Sequence, residues 1–199
     1  INMMKLKDKD EVVNVTYSVD TNVLVVTKKG YGLWYKTSDI NPVGIKASGV
    51  KSINLRDDEV VSGLLFPNDS EYITLFTDKG TAKRMRFSEI DMGTRGNRGL
   101  LFMKEIKSNP SHIVDAYVED VKTEVVVVTK KYEKEMKIVD IPIMDRYSNG
   151  SFVVKDKIKD TYLKVQELSK DALSGLEYVE EAKPEQEQLS FDMLNKESL

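Results

Sequence analysis

The residues best equipped for chemistry are cations gathered around glycines. Lys83, Arg84 and Arg86 follow a glycine turn, and Arg95 and Arg98 stand in the loop Gly93-Thr-Arg-Gly-Asn-Arg-Gly99. Guanidinium forks match phosphate oxygens, and glycines let backbone amides approach them closely, so the pattern suits a polyanion rather than a covalent reaction. Strand alternation puts Arg84 and Arg86 on one face. One such cluster is as readily a solvated surface beside a turn, and recurrence decides between the two. Lys46, Arg95 or Arg98, and Arg146 occupy the corresponding loop of three successive copies, with Lys36, Lys51 and Lys137 beside them. Copies set side by side predict a cationic track along one rim.

Other chemistries find little support. There is no Cys and a single histidine, which excludes disulfides, thiolate metal sites and a multi-histidine centre. His112 follows Pro110 and reads as a turn residue. Asp57, Asp58 and Glu59 are echoed at Asp8, Asp10 and Glu11, which makes them a repeated turn rather than a metal site. Trp34, Tyr35 and the scattered tyrosines read as packing residues at strand positions. No nucleophile has a paired base, no phosphate loop is present, and none of the nine tyrosines is assigned a nucleophilic role.

The elements that must hold these cations repeat about every fifty residues. Thr27 and Thr77, Gly30 and Gly80, and Gly49 and Gly99 are each fifty apart. Such a period marks a solenoid or propeller-like array. Val23–Thr27, Tyr72–Phe76 and Val125–Thr129 are short, apolar and bounded by turns, so they predict strands buried on both faces. Second strands are predicted at Tyr31–Lys36, Thr81–Phe87 and Glu133–Val139, with Gly30 and Gly80 supplying positive φ in the hairpins. Tyr132 stands where the third hairpin would have its glycine. Further strands are predicted at 50–55, 100–104 and 152–155, and at 12–17, 60–66 and 113–118. Four strands per repeat without helical periodicity predict an all-β array of blades over residues 1–165. Leu6 to Val13 matches Leu55 to Val61 with one residue inserted, so the first blade is expected to be truncated and the chain to be a fragment.

The net charge of -3 conceals an asymmetry. Thr161–Leu199 holds four Lys against nine Asp/Glu, leaving the preceding 160 residues at +2. Residues 166–199 are expected to form an acidic, largely disordered tail, in which Leu189, Phe191, Met193 and Leu194 could form a short helix. The tail is placed to compete with a polyanion for the basic surface. No stretch has the roughly eighteen uncharged apolar residues of a membrane span.

Gly80-Thr-Ala-Lys83-Arg84, the loop ending Arg98-Gly99 and the turn Leu55-Arg-Asp-Asp-Glu-Val-Val61 resemble one known repeat. It belongs to the C-terminal domain of bacterial type IIA topoisomerase A subunits, found in DNA gyrase and topoisomerase IV, and the likeness covers about residues 1–165. The resemblance implies a β-pinwheel, whose four-stranded blades exchange a strand with their neighbours and whose positive outer perimeter binds and bends double-stranded DNA. It places Lys36, Lys46, Lys51, Lys83, Arg84, Arg86, Arg95, Arg98, Lys137 and Arg146 on or near that track. It also implies a bacterial cytoplasmic protein with no cofactor in this segment. ATP and Mg2+ would act on other parts of the enzyme, and the partners would be a separate ATPase chain and the catalytic core that continues this one. The basic box Gln-Arg-Arg-Gly-Gly-Lys-Gly is absent, and Arg146-Tyr-Ser-Asn-Gly150 is a weakened loop. Both lean the reading toward topoisomerase IV, with gyrase as the alternative. A kelch-type interaction propeller fits the period but lacks its paired glycines.

Overall fold

A computed structural model describes residues 6–8, 10–16 and 22–164. The acidic tail, with Leu189, Phe191, Met193 and Leu194, lies outside the described residues, as does Tyr17.

Three hairpins form the frame. They are β1 (Asn22–Thr27) with β2 (Tyr31–Lys36), β4 (Tyr72–Thr77) with β5 (Thr81–Arg86), and β8 (Glu124–Thr129) with β9 (Glu133–Lys137). A single 3-10 turn follows each, at Thr37–Asp39, Phe87–Glu89 and Ile138–Asp140. A longer strand returns beside each hairpin: β3 (Val60–Phe66), β7 (Ile113–Tyr117) and β11 (Ile158–Leu163). Two short strands complete the set, β6 (Leu100–Leu101) and β10 (Ser151–Phe152).

The first two hairpins close through three-residue loops in which Gly30 and Gly80 take φ of +93° and +85°. Their amides bond back to Thr27 O and Thr77 O at 2.9 and 3.1 Å. That is a turn followed by one left-handed residue, a geometry that favours glycine. The third loop differs. Val128 pairs with Glu133, Tyr132 keeps a negative φ, and its amide bonds instead to the Thr129 hydroxyl at 3.0 Å. With the left-handed residue gone, the position no longer needs glycine.

Strand order runs β3-β1-β2-β6, β7-β4-β5-β10 and β11-β8-β9. The fourth strand of the first two sheets thus comes from the following repeat: Leu101 pairs with Tyr31, and Phe152 with Thr81. Strands β3, β7 and β11 lie against one another in succession and form the inner wall. Strands β6 and β10 then occupy the outer edge. This is a pinwheel of exchanged strands.

Packing explains the unbroken apolar runs. Leu24 and Val26 pack with Ile73, Leu75, Met85 and Phe102 between the first and second blades. Val23 and Val25 face the other way, onto Leu33, Tyr35 and Ile53. Phe76, Val125, Val127, Ile138 and Ile158 fill the gap between the second and third. The first two blades are covered on both sides, so their strand alternation has no polar face to show, whereas the third leaves Glu133, Lys134 and Glu135 of β9 exposed.

Residues 50–55 and 12–16 form no strand. Their counterparts in the later repeats, β6 and β10 or β3 and β7, each lie along a hairpin strand, and none lies along these two segments among the described residues. A strand exists only where its ladder partner does. The strands predicted at 100–104 and 152–155 shrink to two residues each, because the edges they pair with begin at Tyr31 and Thr81, beyond which Phe102 N and Val153 N bond to the turn carbonyls of Gly30 and Gly80.

The inner wall is pinned by one carboxylate. Asp115 Oδ1 accepts from Ser62 Oγ of β3 at 2.6 Å, and Oδ2 accepts from the Tyr117 hydroxyl at 2.7 Å and Thr161 Oγ1 of β11 at 3.3 Å. Burial, reinforced by the neighbouring Asp115 charge, pushes the Tyr117 phenol well above its ordinary value, which keeps it a donor. All three blades therefore meet at this group. Asp115→Ala removes the acceptor that three hydroxyls share, leaving among them only the 2.8 Å bond between Tyr117 and Thr161, and is expected to cost roughly 2–4 kcal/mol. Urea melts of the two proteins check this, with far-UV dichroism unchanged below the transition.

Candidate functional site

The Gly-bearing loops are held on the outer edge by their own backbone. Gly99 has φ +80°, and a Cβ there would sit 2.2 Å from Gly32 O. Gly150 repeats the arrangement against Ala82 O at 2.7 Å. Only glycine lets these loops lie flat on β2 and β5. The loop 93–99 therefore borders the first blade and 144–150 the second.

Within them the arginines work first as clasps. Arg95 Nη1 donates to Lys51 O at 2.6 Å and its Nε to Asp39 O at 2.8 Å. Arg146 Nη1 donates to Leu101 O at 2.7 Å, the same bond one repeat later. Arg146 is thus the structural copy of Arg95. Counting back from the glycines, Ile45 takes that place in the first copy and Lys46 falls one residue off it, exposed. The recurrence expected for Lys46, Arg95 or Arg98, and Arg146 is therefore a true equivalence only for Arg95 and Arg146.

Lys83 and Arg84 are not at the surface, contrary to the reading that put them on the track. Lys83 is 2% exposed, and its Nζ donates to Asp145 O at 3.0 Å and Arg146 O at 2.6 Å. Burial draws its pKa down to about 8. Arg84 is 8% exposed, its Nε donating to Ile141 O at 2.7 Å and Nη2 to Val139 O at 3.1 Å. One repeat earlier Trp34 does the same work, its Nε1 donating to Ile90 O at 3.0 Å. Trp and Arg are interchangeable here because the position needs one N–H at the end of a flat group. In the third blade it holds Glu135, an acceptor, which takes the Lys164 ammonium at 2.6 Å instead. Arg86 shares its strand face with Arg84 but stands exposed at the strand end, where the covering loop has passed.

The cations left facing outward form a different set. Lys36, Arg86 and Lys137 occupy one register position, paired with Asn22, Tyr72 and Glu124 on the neighbouring strand of each hairpin. Lys36 Nζ reaches Asn68 Oδ1 at 2.8 Å. Among the described residues no ion pair holds any of the three. Lys51 is exposed on the loop beneath Arg95. Arg98 lies over the Tyr31 ring at 3.9 Å, and its covered Nε has no hydrogen-bond partner among the described residues. It lines an open hollow of about 370 Å³ with Lys29, Asp57 and His112.

Sequence reading missed a cluster at the third hairpin turn. Lys131 Nζ meets Asp156 at 2.9 Å and Lys134 Nζ donates to Val153 O at 2.8 Å, which brings Lys130, Lys155 and Lys157 alongside. The pairing of Ile158 with Thr129 is what joins these two segments. The carboxylates Asp57 and Glu59 bind Lys29 and Lys28 at 2.6 and 3.0 Å. No group of acids and histidine suited to a metal occurs among the described residues.

Two expectations separate the clasps from free cations. Arg84→Met strips two carbonyls of their donors and should cost roughly 2–3 kcal/mol, read by urea melts, without changing the outward charge set. Lys83 is harder to charge in the folded state than in the unfolded chain. Between pH 8 and 10.5 the unfolded chain binds the extra proton, so wild type should gain stability over Lys83→Met as pH rises through that window. Melts of the pair at pH 7.5 and 10 measure it.

Comparison with known proteins returns a consistent picture. Residues 1–17, 21–68 and 71–118 match the family described as DNA gyrase C-terminal domain, beta-propeller. The chain is 38% identical over 153 residues to the A subunit of DNA topoisomerase 4 from Staphylococcus epidermidis, covering 76% of this chain and 19% of that protein. It is 38% identical over 152 residues to the Bacillus subtilis protein of the same name, covering 75% and 19%. The chain thus spans about a fifth of the length of these relatives. Among solved structures, the C-terminal domain of DNA topoisomerase IV superposes with a TM-score of 0.77 at 34% identity, covering 81% of this chain and 52% of that one. A DNA gyrase A C-terminal domain shares the fold, with a TM-score of 0.69 at 22% identity over 83% of this chain and 58% of that one.

Proposed function

From the premise that this chain belongs to the DNA gyrase C-terminal domain, beta-propeller family, we propose that it is a non-catalytic module that binds and bends duplex DNA for topoisomerase IV. The observation that carries this reading is the shared register of Lys36, Arg86 and Lys137, one outward cation per blade. Arg98 adds a guanidinium held flat on Tyr31 at the edge of an open hollow. Phosphates contacted from successive blades force a duplex to follow the curve of the outer edge. Bending 20–30 bp costs on the order of 1–6 kcal/mol, which several charge contacts together offset. The contacts go to the backbone, so sequence matters little.

In the intact enzyme such a module would present one duplex to the catalytic core that continues the same chain, for decatenation and supercoil relaxation in the bacterial cytoplasm. Strand cleavage, Mg2+ and ATP hydrolysis would belong to that core and to the separate ATPase chain. The four lysines of the third hairpin turn and its neighbour, Lys130, Lys131, Lys155 and Lys157, would extend the track past the weakened 146–150 loop.

Titration of a labelled 40-bp duplex tests the reading. Affinity should fall steeply between 50 and 200 mM salt, about tenfold or more, and hardly depend on sequence. Arg86→Ala and Lys137→Ala should each lower the salt slope by about one phosphate, whereas Arg84→Met, once shown to be folded, should leave it alone. Affinity indifferent to salt and to both alanine changes would dismiss the proposal.

A further inference from the structure

One side chain on the outer edge is at odds with its surroundings. Phe152 of β10 is 77% exposed, the most exposed aromatic among the described residues, and it belongs to none of the three apolar clusters. Its backbone is anything but loose. Phe152 pairs with Thr81, Val153 N and Val154 N both donate to Gly80 O at 2.9 and 3.2 Å, and Thr81 Oγ1 donates to Asn149 O at 2.7 Å. A rigid strand therefore holds a bare ring outward at the rim. The equivalent residue of the first blade, Leu101, is half-buried beside Tyr31.

Cations flank the ring. Lys134 reaches the carbonyl of Val153 at 2.8 Å, Lys155 stands exposed three residues on, and Arg146 lies over the Tyr147 ring at 4.2 Å in the loop before it. An apolar ring set between phosphate-seeking groups suits a polyanion that also offers apolar faces to stack on. Duplex DNA has both, and a wedge driven between base pairs unstacks one step and kinks the helix.

We propose that Phe152 is such a wedge, entering the duplex where it crosses the second blade and fixing the position of a kink. The inference rests on the DNA-binding reading above. Pyrimidine–purine steps unstack most easily, so the kink should settle on a TA step placed in an otherwise G·C-rich duplex.

The test uses the 199-residue chain and a 40-bp duplex carrying one TA step, with 2-aminopurine beside it and end labels for energy transfer. Wild type should raise the 2-aminopurine emission and shorten the end-to-end distance. Phe152→Ala should abolish most of the emission rise and straighten the duplex while affinity falls no more than about fivefold, and Phe152→Leu should keep most of both signals. Because the ring is outside the core, all three proteins should melt alike. Salt-dependent binding with the same emission and bend in Phe152→Ala would overturn the wedge and leave the DNA-binding reading intact. Absence of any binding by wild type would overturn both. Concentration-dependent self-association that Phe152→Ala abolishes, with bend unaltered, would assign the ring to contact between copies and overturn the wedge.

Discussion

The constraint on which this fold depends is the unfilled edge of each hairpin. Strands β2 and β5 carry one row of backbone groups that their own repeat cannot pair, and an open edge invites association with any other chain. The next repeat fills it, first with a loop laid along the strand and then with a two-residue strand. The remaining features serve that closure. Gly99 and Gly150 allow the approach, Arg95 and Arg146 tie the loop to the carbonyl beneath it, and Trp34 and Arg84 hold the 3-10 turn that feeds it. On the opposite side Asp115 draws the three inner strands together. Neighbouring repeats are thus joined at both margins, and no single blade is a folding unit by itself.

The same closure decides which charges face the solvent. An arginine has five N–H donors and can spend two on carbonyls while still presenting charge. Arg95 spends two and Arg146 one, so both are clasped yet partly open. Lys83 and Arg84 are further inside, 2% and 8% exposed, where the covering loop leaves their charge little contact with solvent. The residues with most freedom are those at the hairpin ends, past the reach of that loop. A basic segment in a strand-exchanged protein therefore divides by depth, and neighbouring cations in sequence serve opposite ends.

The repeat period, the three hairpins and their glycines were legible in the sequence because each depends on local pattern. The strands predicted at 12–17 and 50–55 were not, because strand identity is a property of pairs and a sequence pattern describes one partner. Alternation correctly put Arg84 and Arg86 on one face but was silent on the loop from sixty residues later that buries the first and spares the second. Lys46 and Arg146 both looked like copies of the loop arginines, but the glycine spacing puts Ile45 in the first copy's place, and the shared carbonyl bond makes Arg146 alone the copy of Arg95. Tyr132 in place of glycine called for either a different turn or a strained one, and the turn is different.

Glu135 has a consequence for how such arrays grow. Trp34 and Arg84 reach forward with a proton to give, whereas Glu135 in their place has only lone pairs, already occupied by a lysine of its own blade. The modules are consequently not interchangeable beads. A gene duplication that set a fresh copy behind the third would meet a carboxylate facing a carbonyl, two acceptors with nothing to share, and enlargement of the array by that route would first require a change at this one codon.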